Sequence, residues 1–159
     1  MRTKMFNSSI LNASFPTKSY SLDFSQLSRV QFNCREDYFN AEMNVLKCAD
    51  YLTTMPLDIT NVNRGYAETY LLLWMNGTSD FTFNINRTVS KVIELNISLL
   101  SIYVAFVAKF VILNRDKSKS EDEIYKYVVP SLLDYCRNHQ ISLLPDNLLT
   151  TVNTENRVA

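Results

Sequence analysis

Sixteen basic and sixteen acidic side chains balance to zero formal charge over 159 residues, which excludes a global field for recruiting nucleic acid or an anionic membrane. Hydrophobic residues make up 47% of the chain and aromatics 12%, against only two glycines and four prolines, a balance that favours long regular elements over many tight turns. The length suits one domain with a proper core, which needs neither disulfide nor metal to hold it.

Residues 1–32 read as an irregular, Ser-rich arm, because Ser8, Ser9, Ser14, Ser19, Ser21, Ser25, Ser28 and Pro16 break every apolar period. Arg2 and Lys4 resemble the basic start of a signal peptide, but no apolar stretch of about seven residues follows before Pro16, which favours a cytoplasmic chain over an exported one. Where this arm is ordered, Tyr20, Leu22 and Phe24 alternate as in a short strand before giving way to Leu27 and Val30.

A helical domain is predicted over 33–153, followed by a frayed tail at 154–159. Its first helix spans Glu36 to Thr54 and buries Tyr38, Ala41, Val45, Cys48, Ala49 and Leu52, with Phe39, Met43 and Leu46 widening that face. Pro56 ends it, and Asp58 or Thr60 is available to cap a second helix from Asn61 to Asn76 that buries Ala67, Tyr70, Leu71 and Trp74. Gly77 follows where a left-handed terminating residue belongs. The aromatics of Thr78 to Phe83 are expected to fold back on the second helix, and a short third helix from Asn86 to Leu95 buries Val89, Val92 and Ile93.

The run from Ile97 to Leu113 contains only Ser98, Ser101 and Lys109 as clearly polar members, so it has no free face for water. It falls short of the ~20 apolar residues of a membrane span, which makes it the central helix of a bundle and predicts no transmembrane segment. The serines can return their hydroxyls to carbonyls one turn back, and Lys109 can lay its methylenes on the core with its ammonium in water. The Arg115 to Glu123 connection alternates in sign and reads as solvated, with Ser120 and Glu123 forming a capping box for a further helix. That helix carries the stripe Tyr125, Val128, Val129, Leu132 and Cys136 with Leu133 beside it, and Pro130 should kink or split it. A last short helix is expected from Asp146 to Thr151. The fold class is therefore an all-α compact bundle of five or six helices around 97–113.

No residue set in the sequence demands a reaction. His139 is the only histidine and lies in a polar connection, so neither a Ser-His-Asp nor a Cys-His arrangement can be assembled without it. Two glycines cannot make a phosphate loop, and Cys34, Cys48 and Cys136 match no zinc or redox spacing. They read as free thiols, with a Cys34–Cys48 or Cys48–Cys136 bridge open to an exported chain. Glu68 and Glu94 interrupt apolar helices, where pairing with Arg64, Lys91 or another base explains them better than catalysis. The reading is a protein that is not an enzyme, with no cofactor and no metal. Most of the nine tyrosines are expected in or beside the core with their hydroxyls at the surface.

Four phrases carry a resemblance: Cys48-Ala-Asp-Tyr-Leu52 with Pro56; Trp74-Met-Asn-Gly-Thr-Ser-Asp-Phe-Thr-Phe83; Leu99-Leu-Ser-Ile-Tyr103 leading to Ala108-Lys-Phe110; and Leu132-Leu-Asp-Tyr-Cys136. Across Phe32 to Pro145 the chain resembles a group of uncharacterised small all-helical proteins of Bacteroidota, often exported. Ser79 stands where that group commonly has proline, and the Ser-rich start replaces its usual cleavable signal. The resemblance implies an all-helical domain and brings no catalytic residue with it. By analogy with small helical proteins of such bacteria, the expected function is a non-enzymatic protein-binding module of the immunity or inhibitor type that occludes a secreted toxin. An exported envelope or periplasmic structural protein is the alternative. Candidate partner contacts are Trp74, Asp80, Phe81 and Phe83 in one loop region and Asp116, Glu121 and Asp122 in the charged connection.

Overall fold

The computed structural model describes residues 23–141 apart from 83, 86, 118 and 119, and it omits the side chains of 87, 88 and 95. Its described residues form an all-α bundle: a short 3₁₀ helix at Phe24–Arg29, then α1 (Arg35–Thr54), α2 (Val62–Gly77), α3 (Arg87–Leu95), α4 (Leu99–Leu113) and α5 (Glu121–Asn138). Of the alternation expected at Tyr20, Leu22 and Phe24, only Phe24 lies within the described residues; it opens the 3₁₀ helix, which Asp23 caps by accepting from the Ser25 amide at 3.0 Å. Phe24 is thereby buried against Tyr51, with ring centroids 5.0 Å apart, so this part of the predicted arm belongs to the packed unit. The earlier part of the arm, the short helix expected after Pro145 and the tail lie outside the described residues.

α4 is the centre, as its lack of a polar face requires, and it packs against α1, α2, α3 and α5. Leu99, Phe110, Val111 and every residue from Ile102 to Ala108 are buried, while Leu113 emerges at the far end and Ile97, expected as the first residue of this helix, is exposed in the turn before it. Ser101 donates to the Ser98 carbonyl at 3.1 Å, and Lys109 reaches out to Asp50 at 2.6 Å. Among the described residues, no helix is long and apolar enough to cross a membrane.

α1 lies between α2 and α4 and buries Ala41, Val45, Cys48, Ala49 and Leu52. Phe39 and Met43 do not widen this face; they are 55% and 65% exposed among the described residues. α2 buries the expected Ala67, Tyr70, Leu71 and Trp74, but its cap is Asn61, whose side chain accepts from the Arg64 amide at 3.1 Å. Asp58 and Thr60 are instead bonded to each other, with Asp58 Oδ1 accepting from the Thr60 amide and hydroxyl at 2.9 and 2.7 Å. Gly77 is the last residue of α2 and does not adopt a left-handed conformation; an added Cβ there would meet the Tyr38 ring and hydroxyl, so a larger residue must displace Tyr38.

α3 buries Val89, Val92 and Ile93. α5 starts at Ser120, whose hydroxyl accepts from the Glu123 amide at 3.4 Å, and runs unbroken through Pro130. Pro130, which is exposed, therefore does not split the helix as expected, although it supplies no N–H to the turn before it. Tyr70, Tyr103 and Tyr135 are buried, Tyr38, Tyr51, Tyr66 and Tyr125 are half-buried, and Tyr127 is exposed. Cys34 is exposed, Cys48 and Cys136 are buried, and all three thiols are free.

Candidate functional site

Trp74 and Phe81, expected at a contact surface, are corrected by their burial: Trp74 is 0% and Phe81 8% exposed. They pack on each other at 5.8 Å, and the Trp74 indole donates to the Tyr38 carbonyl at 2.9 Å. Phe81 folds back on α2, and that packing is what removes it from the surface. Asp80 is half-buried and paired with Arg35 at 2.7 Å. Glu121 is exposed and accepts from the Asn84 side chain, and Asp116 and Asp122 are exposed. Phe83 lies outside the described residues. The predicted set thus divides into two core aromatics and separate surface carboxylates.

A more concentrated arrangement closes the α1–α2 end of the bundle. α1 stops where Thr53 and Thr54 turn their hydroxyls back onto the Ala49 and Asp50 carbonyls at 2.8 and 2.7 Å, and Pro56 then prevents the helix from resuming. The loop that follows is tied at several points. The Tyr135 hydroxyl of α5 donates to the Met55 carbonyl at 2.8 Å, the Arg64 guanidinium donates through Nη1 to the Pro56 carbonyl at 3.2 Å, and the Tyr51 hydroxyl donates to the capping Asn61 at 3.3 Å.

Arg64 is the group around which this end is built. It is 2% exposed, the only charged residue in the core among those described, and its Nε lies 2.9 Å from Oε1 of Glu68, one turn along α2. That Glu68 oxygen also accepts from the Ser101 hydroxyl of α4 at 2.8 Å, so the carboxylate bridges the arginine to the central helix. Arg64 Nε lies against Glu68, and the guanidinium also acts on the Tyr135 hydroxyl, both as a charge and as a hydrogen-bond partner. A protonated guanidinium buried in this way carries a desolvation cost that only good pairing repays.

Beside the arginine is a cavity of about 200 Å³ lined by Tyr51, Met55, Pro56, Asp58, Asn61 and Arg64. Asp58, at its exposed rim, has its carboxyl held below the usual range, first by the two Thr60 hydrogen bonds and in smaller part by the charge of Arg64. Burial pushes the Tyr135 phenol up, and the neighbouring guanidinium opposes that rise. Three large apolar side chains surround this end of the fold: Met55 at 42% exposure, Ile59 at 80% and Val62 at 66%.

The sequence reading paired Glu68 with Arg64 but missed that the arginine is buried. Its position held the signal: Arg64, Ala67, Leu71 and Trp74 follow one another at helical spacing, which puts a cation on the buried stripe of α2. His139 packs at a tilt against Tyr135, with ring centroids 4.4 Å apart, and the described residues hold no group of three or more His, Cys, Asp or Glu side chains placed to bind a metal ion.

Comparison of the chain with protein-family models, with curated proteins and with solved structures finds no match.

Proposed function

We propose that this chain is a non-enzymatic protein-binding module of the immunity or inhibitor type, which docks on a bacterial toxin through the Met55–Val62 end of the bundle and occludes it. The observation that carries the docking surface is the exposure of Met55, Ile59 and Val62 around a pocket. Single exposed apolar side chains are ordinary on any protein surface, but several large ones on one short segment beside a concavity are the usual composition of an interface centre. The segment is also held in place by bonds from α1, α2 and α5, so docking would order little that is not already ordered. The inhibitor form of the reading comes from the resemblance to small helical Bacteroidota proteins, which rests on their shared phrases.

The test is capture of a stoichiometric partner by the full chain, expression of that partner alone, and repetition with Ile59→Asp combined with Val62→Asp. Both positions are exposed, so folding should persist, while a charge placed on each anchor should weaken capture by about thirtyfold or more, the scale of a hot-spot loss. The expected partner is toxic alone and is neutralised by co-expression. A harmless partner removes the inhibitor reading, and capture that survives the double substitution removes this surface.

A further inference from the structure

We propose that the outer face of α1 pairs with the same face of a second copy of this chain, in antiparallel register, to give a weak two-fold dimer. This goes beyond the docking proposal, because it uses a different helix and a different partner.

Three observations converge on that pairing. Glu36, Phe39, Asn40, Met43 and Lys47 recur at helical spacing and are all exposed, so they form one stripe on the side of α1 away from Ala41, Val45, Cys48 and Leu52. The centre of the stripe is apolar: Phe39 and Met43 are 55% and 65% exposed and lie one turn apart. An aromatic ring beside a thioether is the composition of an interface centre rather than of a solvated helix face.

The second observation is order. The Arg115 guanidinium lies over the Phe39 ring, 5.2 Å from its centroid, and is itself paired with Glu42. The ring is therefore held on one side while more than half of it stays exposed. Docking onto it would order little that is not already ordered.

The third observation is charge, and it selects the partner. Glu36 stands at one end of the stripe and Lys47 at the other, about three turns apart. A two-fold axis crossing the stripe between Phe39 and Met43 sets Phe39 of each copy beside Met43 of the other and brings each Glu36 to the other copy's Lys47. Both ends of the contact then join opposite charges. A parallel pairing would set Glu36 on Glu36 and Lys47 on Lys47, which like-charge repulsion disfavours. The next charge on this face, Asp50, is already taken by Lys109. The overlap is about 16 Å of helix, too short for the ~800 Å² per partner of a standard interface, so the dimer is weak and reversible.

The experiment is sedimentation-velocity centrifugation of the full chain from about 10 µM to about 1 mM, the range in which a weak dimer forms and dissociates. The expected result is a sedimentation coefficient that rises with concentration from monomer toward dimer. Met43→Asp, at an exposed position, should leave the circular dichroism spectrum intact and weaken association by about tenfold or more. Glu36→Lys and Lys47→Glu should each weaken it by about threefold or more, because each breaks both end pairs. The two exchanges together in one chain should restore the wild-type association, since the same pairs re-form with their signs reversed. A chain that stays monomeric throughout leaves this face to another occupant and overturns the proposal. So does a dimer that survives Met43→Asp, one that Ile59→Asp with Val62→Asp abolishes instead, or a double charge exchange that fails to restore what each single exchange removed.

Discussion

Replacing Trp74 by phenylalanine decides whether this residue is part of the core or part of a contact surface. The indole is fully buried, packs on Phe81, and makes a 2.9 Å hydrogen bond to the Tyr38 carbonyl across the α1–α2 interface. Phenylalanine retains most of the ring but loses the donor and two ring carbons. At ~0.8 kcal/mol per buried carbon the lost transfer is about 1.6 kcal/mol. The lost hydrogen bond contributes about 1 kcal/mol, and the void left in a close-packed region adds a few tenths more. The total is about 3 kcal/mol, which for a chain of this length lowers Tm by roughly 6–12 °C. Urea and thermal unfolding followed by far-ultraviolet circular dichroism measure it, since the substitution removes the only tryptophan and with it the fluorescence signal. A loss below about 1 kcal/mol would refute the packing argument. So would a variant of unchanged stability that no longer captures the partner, because Trp74 would then have to face outward.

The two glycines give opposite expectations. Gly65 has nothing within 4 Å of an added Cβ, so Gly65→Ala should stabilise the protein by about 0.5–1 kcal/mol through helix propensity. Gly77→Ala must displace Tyr38, whose ring stacks on Phe32 at 4.7 Å, and should cost about 1–3 kcal/mol; equal effects in denaturant unfolding would contradict this packing. Alkaline pH should destabilise the fold, because burial pushes the Cys48 thiol from its ordinary 9.0 up to about 12 and raises Cys136, Tyr70, Tyr103 and Tyr135 in the same direction. Above pH 9 the unfolded chain releases the Cys48 proton while the folded chain keeps it, so stability present below pH 9 declines as pH rises toward 12, by up to about tenfold in the folding equilibrium per pH unit per group. Unfolding free energies from pH 7 to 11 should show this decline with a smaller slope in Cys48→Ala, and a flat profile would refute it.

Helix positions and most core faces were legible in the sequence because apolar spacing reports which side of a helix is inward. α2 and α3 bury the residues that their periodicity singled out, and α1 buries Ala41, Val45, Cys48, Ala49 and Leu52 of its stripe but leaves Tyr38 half-buried. Spacing does not report how wide a neighbour's cover is, which is why Phe39 and Met43 were placed inside although they are exposed. Nor does it choose between adjacent polar residues for a cap: Asp58, Thr60 and Asn61 all have the chemistry, and the backbone geometry of the turn selects Asn61. The charged connection and the 78–83 loop looked available for contact because loops are usually at the surface, yet Phe81 is drawn in by Trp74. The Arg64 end was not found as a site because its components come from α1, α2, α4 and α5 and are assembled only by tertiary packing.

The position of α4 between its neighbours also sets an order on folding. α1 and α2 are adjacent in sequence and can meet as a hairpin, but the face of α1 that rests on α4 waits for residues far downstream, as the 73-residue separation of Glu42 and Arg115 illustrates. The Met55 turn is tied down still later, by Tyr135, 80 residues on. During synthesis from the N-terminus, a nascent hairpin of α1 and α2 therefore carries uncovered apolar surface until α4 has emerged, an interval in which self-association or a holding chaperone competes with folding. Truncation before Leu99 should yield an aggregating hairpin, while a chain extending through Asn138 carries all the described helices.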